Sequence, residues 1–203
     1  MIPVALQAEP DDFDVRVRQR GHSWLSEKGI ALNAPPPKAA DLPRYWAHSN
    51  YALWECYGGT CAYLAIYFEW ATGASSTDHF VAKSHNAGDA YEWNNYRLST
   101  LGANRNKNDF DDVLDPISLQ QNTFVINFAS GEISPNYALY PKGSPYATQA
   151  ESTISRLKLD SPEHRKMRTR HFDEYLSEDC SLRHLEKYSP FVYAEIVRQG
   201  LTR

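Results

Sequence analysis

The chain has little sulfur, no long apolar run and no basic excess, and each shortage removes a class of protein. Three cysteines in 203 residues (Cys56, Cys61, Cys180) are too few, and odd in number, for a disulfide framework. No stretch of eighteen apolar residues exists, so no membrane-spanning helix is expected. The opening Met1-Ile2-Pro3-Val4 carries no signal-peptide pattern, and a cytoplasmic protein is the expectation. The formal charge is −4, which lacks the basic footprint of a passive nucleic-acid binder. Repeats and low-complexity segments are also missing. What remains, with 42% apolar and 23% charged residues and thirteen Tyr and five Trp, describes a soluble globular chain with room for one ordinary core.

The first fifty residues are punctuated by Pro3, Pro10, Pro35-Pro36-Pro37 and Pro43 and should be irregular. Within them, Phe13-Asp14-Val15-Arg16-Val17-Arg18 alternates and predicts a short extended segment. From Tyr51 to Trp70 apolar residues recur at three- and four-residue intervals, predicting helix with a weak point at Gly58-Gly59. Two strands should follow, around Asp78–Val81 and Asn95–Ser99, and then a short helix from Ala103 to Asp109. Phe124–Phe128 and Glu132–Ser134, joined through Ala129-Ser130-Gly131, read as a hairpin. Helices are expected over about 147–158, 161–178 and 181–201, the last broken or kinked at Pro190.

The chemistry concentrates in Thr77-Asp78-His79-Phe80-Val81-Ala82-Lys83-Ser84, Trp93-Asn94-Asn95-Tyr96-Arg97-Leu98-Ser99 and Asn104-Arg105-Asn106-Lys107. Hydrolysis of a phosphodiester needs a deprotonated water, a cation on the phosphate and fixed geometry. His79 can accept the proton near neutral pH. Asp78, its strand neighbour, should point the other way and offer a hard oxygen ligand. Asn104 supplies a second oxygen, and two protein oxygens with waters suit Mg²⁺, with Mn²⁺ as a substitute. Asn95 can bridge backbone groups of the inter-strand loop and so hold His79. Lys107, one helical turn from Asn104, is placed to touch phosphate, as are Lys83 and Arg97 inside the motif. Arg156 to His171 holds six basic residues against two acids, so Arg165 and Arg168 are further candidates for tracking DNA.

This layout resembles the HNH branch of the ββα-metal endonucleases, over about forty residues from Asp78 to Pro116. The longer string, with Ala90-Tyr91-Glu92-Trp93, Asn104-x-x-Lys107 and Val113-Leu114-Asp115-Pro116, looks like small bacterial HNH proteins of anti-phage defence loci, including the Septu type, encoded beside an ATPase. The resemblance implies an α+β fold: a ββα-metal core (51–116) in a mostly helical single domain, with an N-terminal segment (1–50) packed on it and a hairpin and helices (117–203) completing it. It implies a DNA endonuclease with Asp78 and Asn104 as metal ligands, His79 as general base and Asn95 as the loop-fixing residue. DNA and an ATPase would be the partners, and self-association stays open. Many relatives carry two Cys-x-x-Cys knuckles; here Leu101-Gly102-Ala103-Asn104 stands at the second, so no structural zinc is expected. A toxin or effector nuclease acting on cellular DNA or RNA, or a non-catalytic nucleic-acid-binding subunit, are the alternatives.

Overall fold

The computed structural model describes residues 1–203 as an α+β fold with two separate two-stranded antiparallel hairpins. Its contacts group into two compact units, one of Leu6–Gly59 and Phe68–Asp111, the other of Met1–Ala5, Thr60–Tyr67 and Asp112–Arg203. No helix is long and apolar enough to cross a membrane.

The motif-bearing unit begins with a helix where an extended segment was expected. Asp14–Arg18 winds as a wide helical turn and runs directly into α1, Gln19–Glu27. Phe13 and Val17 fit period two and period 3.6 equally well, and the continuation to Gly21 and Leu25 selects the helix. Those four positions are buried, while Val15 is 62% exposed. Ion pairs spaced four residues apart, Arg16 with Asp12 (2.7 Å) and Arg18 with Asp14 (2.8 Å), belong to the same winding. Arg18 also pairs with Glu9 and with Glu92.

Gly21 marks the tightest packing of α1. A Cβ built there would lie 2.2 Å from Cγ of Tyr91, a buried ring whose hydroxyl donates to the Pro43 carbonyl (3.1 Å). Helix propensity alone favours Gly→Ala by about 1 kcal/mol. Overpacking costs about 1–3 kcal/mol and decides the sign. Gly21→Ala should therefore lower the stability of this unit, read as a lower denaturant midpoint; a raised midpoint would show that the ring yields freely.

The predicted helix of 51–70 is cut short. α2 spans Asn50–Cys56 and ends where Gly58 and Gly59 take left-handed backbone (φ 55° and 67°). No second helix follows, and Trp70–Thr72 forms only a single 3₁₀ turn closed by Gly73 (φ 65°). β1 (Ser75–His79) then pairs antiparallel with β2 (Tyr96–Thr100), placing Asp78 opposite Arg97 and His79 opposite Tyr96. α3 (Leu101–Lys107) follows without a loop, its N-terminus capped by the Thr100 hydroxyl accepting from the Ala103 N–H (3.3 Å). Strand, strand and helix thus occur in the expected order, with both strands and the helix start within a few residues of the sequence reading.

In the other unit, β3 (Phe124–Asn127) and β4 (Glu132–Pro135) make the expected hairpin. α4 (Pro145–Leu157) and α5 (Pro162–Leu176) each start with a serine cap and a proline in the first turn. α6 (Leu182–Tyr188) stops before Pro190, which opens α7 (Pro190–Arg198). Leu157, Leu159, Leu185, Phe191, Val192 and Ile196 are among its buried core. Glu195 is buried too, accepting from the Ile126 N–H (2.8 Å) and from Arg198.

Candidate active site

β1, the loop residues Ala82, Lys83 and Ser84, and α3 line a cleft of about 610 Å³. Residues 39–46 of the N-terminal segment line it as well, through Ala39, Leu42, Arg44 and Trp46. Asp78, His79, Lys83 and Asn104 all line this cleft, so four residues spread over 27 positions of sequence converge there.

Asn95 has the contacts predicted from its type. Its Oδ1 accepts from the Val81 N–H (2.7 Å), and its Nδ2 donates to the carbonyls of Val81 (3.0 Å) and Asp89 (2.9 Å). One buried amide thereby pins both ends of the loop that carries Lys83.

That loop also delivers the Ala90 carbonyl to His79 Nε2 (3.1 Å). A carbonyl only accepts, so Nε2 carries the hydrogen and the neutral ring leaves Nδ1 bare. The ring is wedged edge-on between Trp46 (4.9 Å) and Tyr96 (5.2 Å). Burial, with the Lys83 and Lys107 ammonium groups adding to it, pushes the His79 pKa down to about 3. The unfolded chain then binds a proton near pH 6.5 that the folded chain refuses. Stability is full above that pH and falls as the pH drops from 6.5 toward 3, by about 2 kcal/mol between pH 6.5 and 5 from this residue alone. Denaturant titrations of the wild type and His79→Phe at those two pH values test this; equal pH slopes for both proteins would contradict it.

Asp78 is 1% exposed and lies 3.5 Å from the Nζ of Lys107, while His79 turns toward Trp46. The neighbours diverge as strand neighbours do, yet both border the cleft. Asn104 donates through Nδ2 to the Ser76 hydroxyl (2.6 Å) and, at 3.4 Å, to the Thr77 carbonyl. Because a carbonyl cannot donate, this fixes which end of the amide is nitrogen and leaves Oδ1 as the end available for a ligand. The oxygen set offered is one carboxylate and one amide carbonyl. Hard oxygen donors in that number fit a cation that keeps most of its water, Mg²⁺ or Mn²⁺. No group of three or more His, Cys, Asp or Glu side chains that could hold a metal gathers anywhere in the chain, the cleft included.

Several expected phosphate contacts are corrected by burial. Lys107 is fully buried, its Nζ donating to the His79 carbonyl (2.9 Å), so it braces β1 and cannot meet a strand in the cleft. Helical spacing placed it on the side of Asn104, but position alone does not tell the exposed edge of a face from its buried edge. Arg97 is also buried, donating to the carbonyls of Asn94 (2.7 Å) and Tyr96 (2.9 Å) and stacking over Phe80. In the other unit Arg168 is buried against the carbonyls of Gly131 (2.6 Å) and Leu159 (2.8 Å). Arg165 is paired with Asp160, Arg156 with Asp112 and Arg170 with Glu174. The basic stretch is therefore largely neutralised by its own neighbours.

Lys83 remains in the cleft, half-buried, over the Trp46 ring (5.8 Å). Desolvation lowers its pKa, opposed by the Asp78 carboxylate. Two further arginines border the cleft that the motif reading passed over, Arg44 and Arg105, both exposed and neither in an ion pair. Arg105 sits beside Asn104 inside the motif and could have been found there. Arg44 comes from a proline-rich stretch whose local sequence gives no sign of where it lands. A scan against protein-family models and a search of curated proteins both give no match for this chain.

Proposed function

We propose that the chain is a metal-dependent endonuclease of the HNH type that hydrolyses phosphodiester bonds in DNA. The observation that carries this reading is the state of His79. Its Nε2–H is committed to the Ala90 carbonyl, which leaves Nδ1 as the basic nitrogen of a ring that lines the same cleft as Asp78 and Asn104.

Asp78 and Asn104 would hold the cation, which when bound supplies positive charge to the phosphate and the leaving oxygen. His79 Nδ1 takes the proton of the attacking water. Asn95 keeps the loop, and through the Ala90 carbonyl the ring, in one orientation. Lys83 meets a phosphate oxygen from the cleft wall. The resemblance of the residue pattern to that of small defence-system nucleases supports a role as the effector of such a system, working beside an ATPase. The −4 charge of the whole chain fits an enzyme that depends on a partner for loading.

The test is cleavage of supercoiled, linear and single-stranded DNA, and of RNA, with Mg²⁺ or with EDTA. Metal-dependent internal cutting of DNA is expected. Cutting of RNA alone would favour the toxin-like reading, and no cutting with the partner ATPase present would favour a binding subunit.

A further inference from the structure

We propose that the cleft takes an unpaired nucleic-acid strand, with its phosphates on Arg44, Lys83 and Arg105 and its bases on the aromatic cluster of Tyr51, Trp54 and Trp70, in which Tyr51 and Trp70 are exposed. This rests on the nuclease reading and names the form of its substrate.

The reacting groups lie at the floor of the cleft, Asp78 being 1% and His79 7% exposed. One wall is built by residues 39–46, outside the strands and helix of the motif. A duplex presents each phosphate on a stiff rod that carries the second strand with it. An unpaired strand can bend to bring a single phosphate down to the floor while its bases turn outward. The lining carries three cations, Arg44, Lys83 and Arg105, against two carboxylates, Asp78 and Asp109. In a chain of net charge −4, two of these cations stand unpaired, which is the complement of a phosphate backbone.

The aromatic cluster adjoins the start of β1. Asn50, at the head of α2, bonds Ser75 through the Ser75 hydroxyl (3.1 Å) and carbonyl (3.4 Å), and it accepts from the Thr77 hydroxyl (3.4 Å). Ser76 and Thr77 line the cleft. On the other side of the strand start, the Leu101 N–H donates to the Ala74 carbonyl (2.9 Å), and Leu101 is a cleft residue half exposed to solvent. Tyr51 (48% exposed) stacks with Trp54 (20° between planes) and meets Trp70 (38% exposed) edge-on at 4.9 Å. Trp54 is anchored by its Nε1–H to the Phe68 carbonyl (3.0 Å). Tyr51 and Trp70 thus offer exposed ring surface held in place by Trp54, and base stacking on aromatic rings tolerates any sequence.

The experiment measures binding in EDTA, where nothing is cut, using labelled 20-mers of single-stranded DNA, single-stranded RNA and duplex DNA on the full chain. Single strands are expected to bind at least tenfold more tightly than the duplex. Tyr51→Ala with Trp70→Ala should weaken single-strand binding about tenfold and leave duplex binding unchanged. Arg44→Gln with Arg105→Gln should reduce the slope of log affinity against log salt. All four positions are exposed, and circular dichroism of each variant checks folding; Trp70→Phe, which keeps a ring, should retain most of the affinity. Duplex binding as tight as single-strand binding, or indifference to the aromatic substitutions, overturns the inference. Comparable Mg²⁺-dependent cutting of duplex and single strand would also overturn it while leaving the nuclease reading standing. Single-strand binding without any metal-dependent cutting would do the reverse. The DNA and RNA arms state which sugar is accepted.

Discussion

His79→Ala should lower the rate of DNA cleavage by about 10²- to 10⁴-fold, the usual contribution of a positioned general base. DNA binding should stay within a few-fold of wild type, because the proposed phosphate contacts are Lys83, Arg44 and Arg105 and not His79. The protein should still fold, since the substitution removes a ring that contacts Trp46 and Tyr96 but no ion pair. His79→Gln would keep a donor for the Ala90 carbonyl while offering no comparable base, so it separates chemistry from packing. A rate close to wild type in either variant would remove His79 from the reaction.

Lys107→Met should produce the largest stability loss of any single change in the motif. The ammonium is fully buried, donates to the His79 carbonyl, and faces the Asp78 carboxylate at 3.5 Å. Methionine fills similar volume but takes one buried counter-charge away from a carboxylate that is itself buried. Removing one partner of such a pair costs roughly 3–5 kcal/mol. Two companions sharpen the prediction. Asp78→Asn with Lys107→Met should recover a large part of the loss, since neither charge is then left behind. Mg²⁺ or Mn²⁺ should raise the denaturant midpoint of Lys107→Met more than that of the wild type, because a cation on Asp78 substitutes for the missing ammonium. A Lys107→Met protein as stable as wild type, with or without metal, would show that the pair is not coupled.

Much of the motif was legible because each of its residues works through local spacing. Asp78 and His79 share a strand, and Asn104 lies in a helix that starts at the strand end. Asn95 is recognisable as a loop brace from its type and place. The failures share one cause, which is that burial is a tertiary property. Lys107, Arg97 and Arg168 were read as surface cations because lysine and arginine are seldom buried, yet each finds carbonyl or carboxylate partners inside. Phe13 to Arg18 alternates by type, but Arg16 pairs with Asp12 and Arg18 with Asp14, each four residues back as helical winding places them. Arg44 reaches the cleft from more than thirty residues before Asp78, a distance no local pattern can bridge.

The account centres on a cation held by Asp78 and Asn104 beside His79. Its most direct test is the initial rate of single-stranded DNA cleavage as Mn²⁺ is titrated into wild type and into Asp78→Ala. The wild type should be inactive in EDTA and rise along a saturable curve, while Asp78→Ala should stay near the EDTA baseline at every concentration that saturates the wild type. Cleavage by the wild type in EDTA, or superimposable curves for the two proteins, would contradict it.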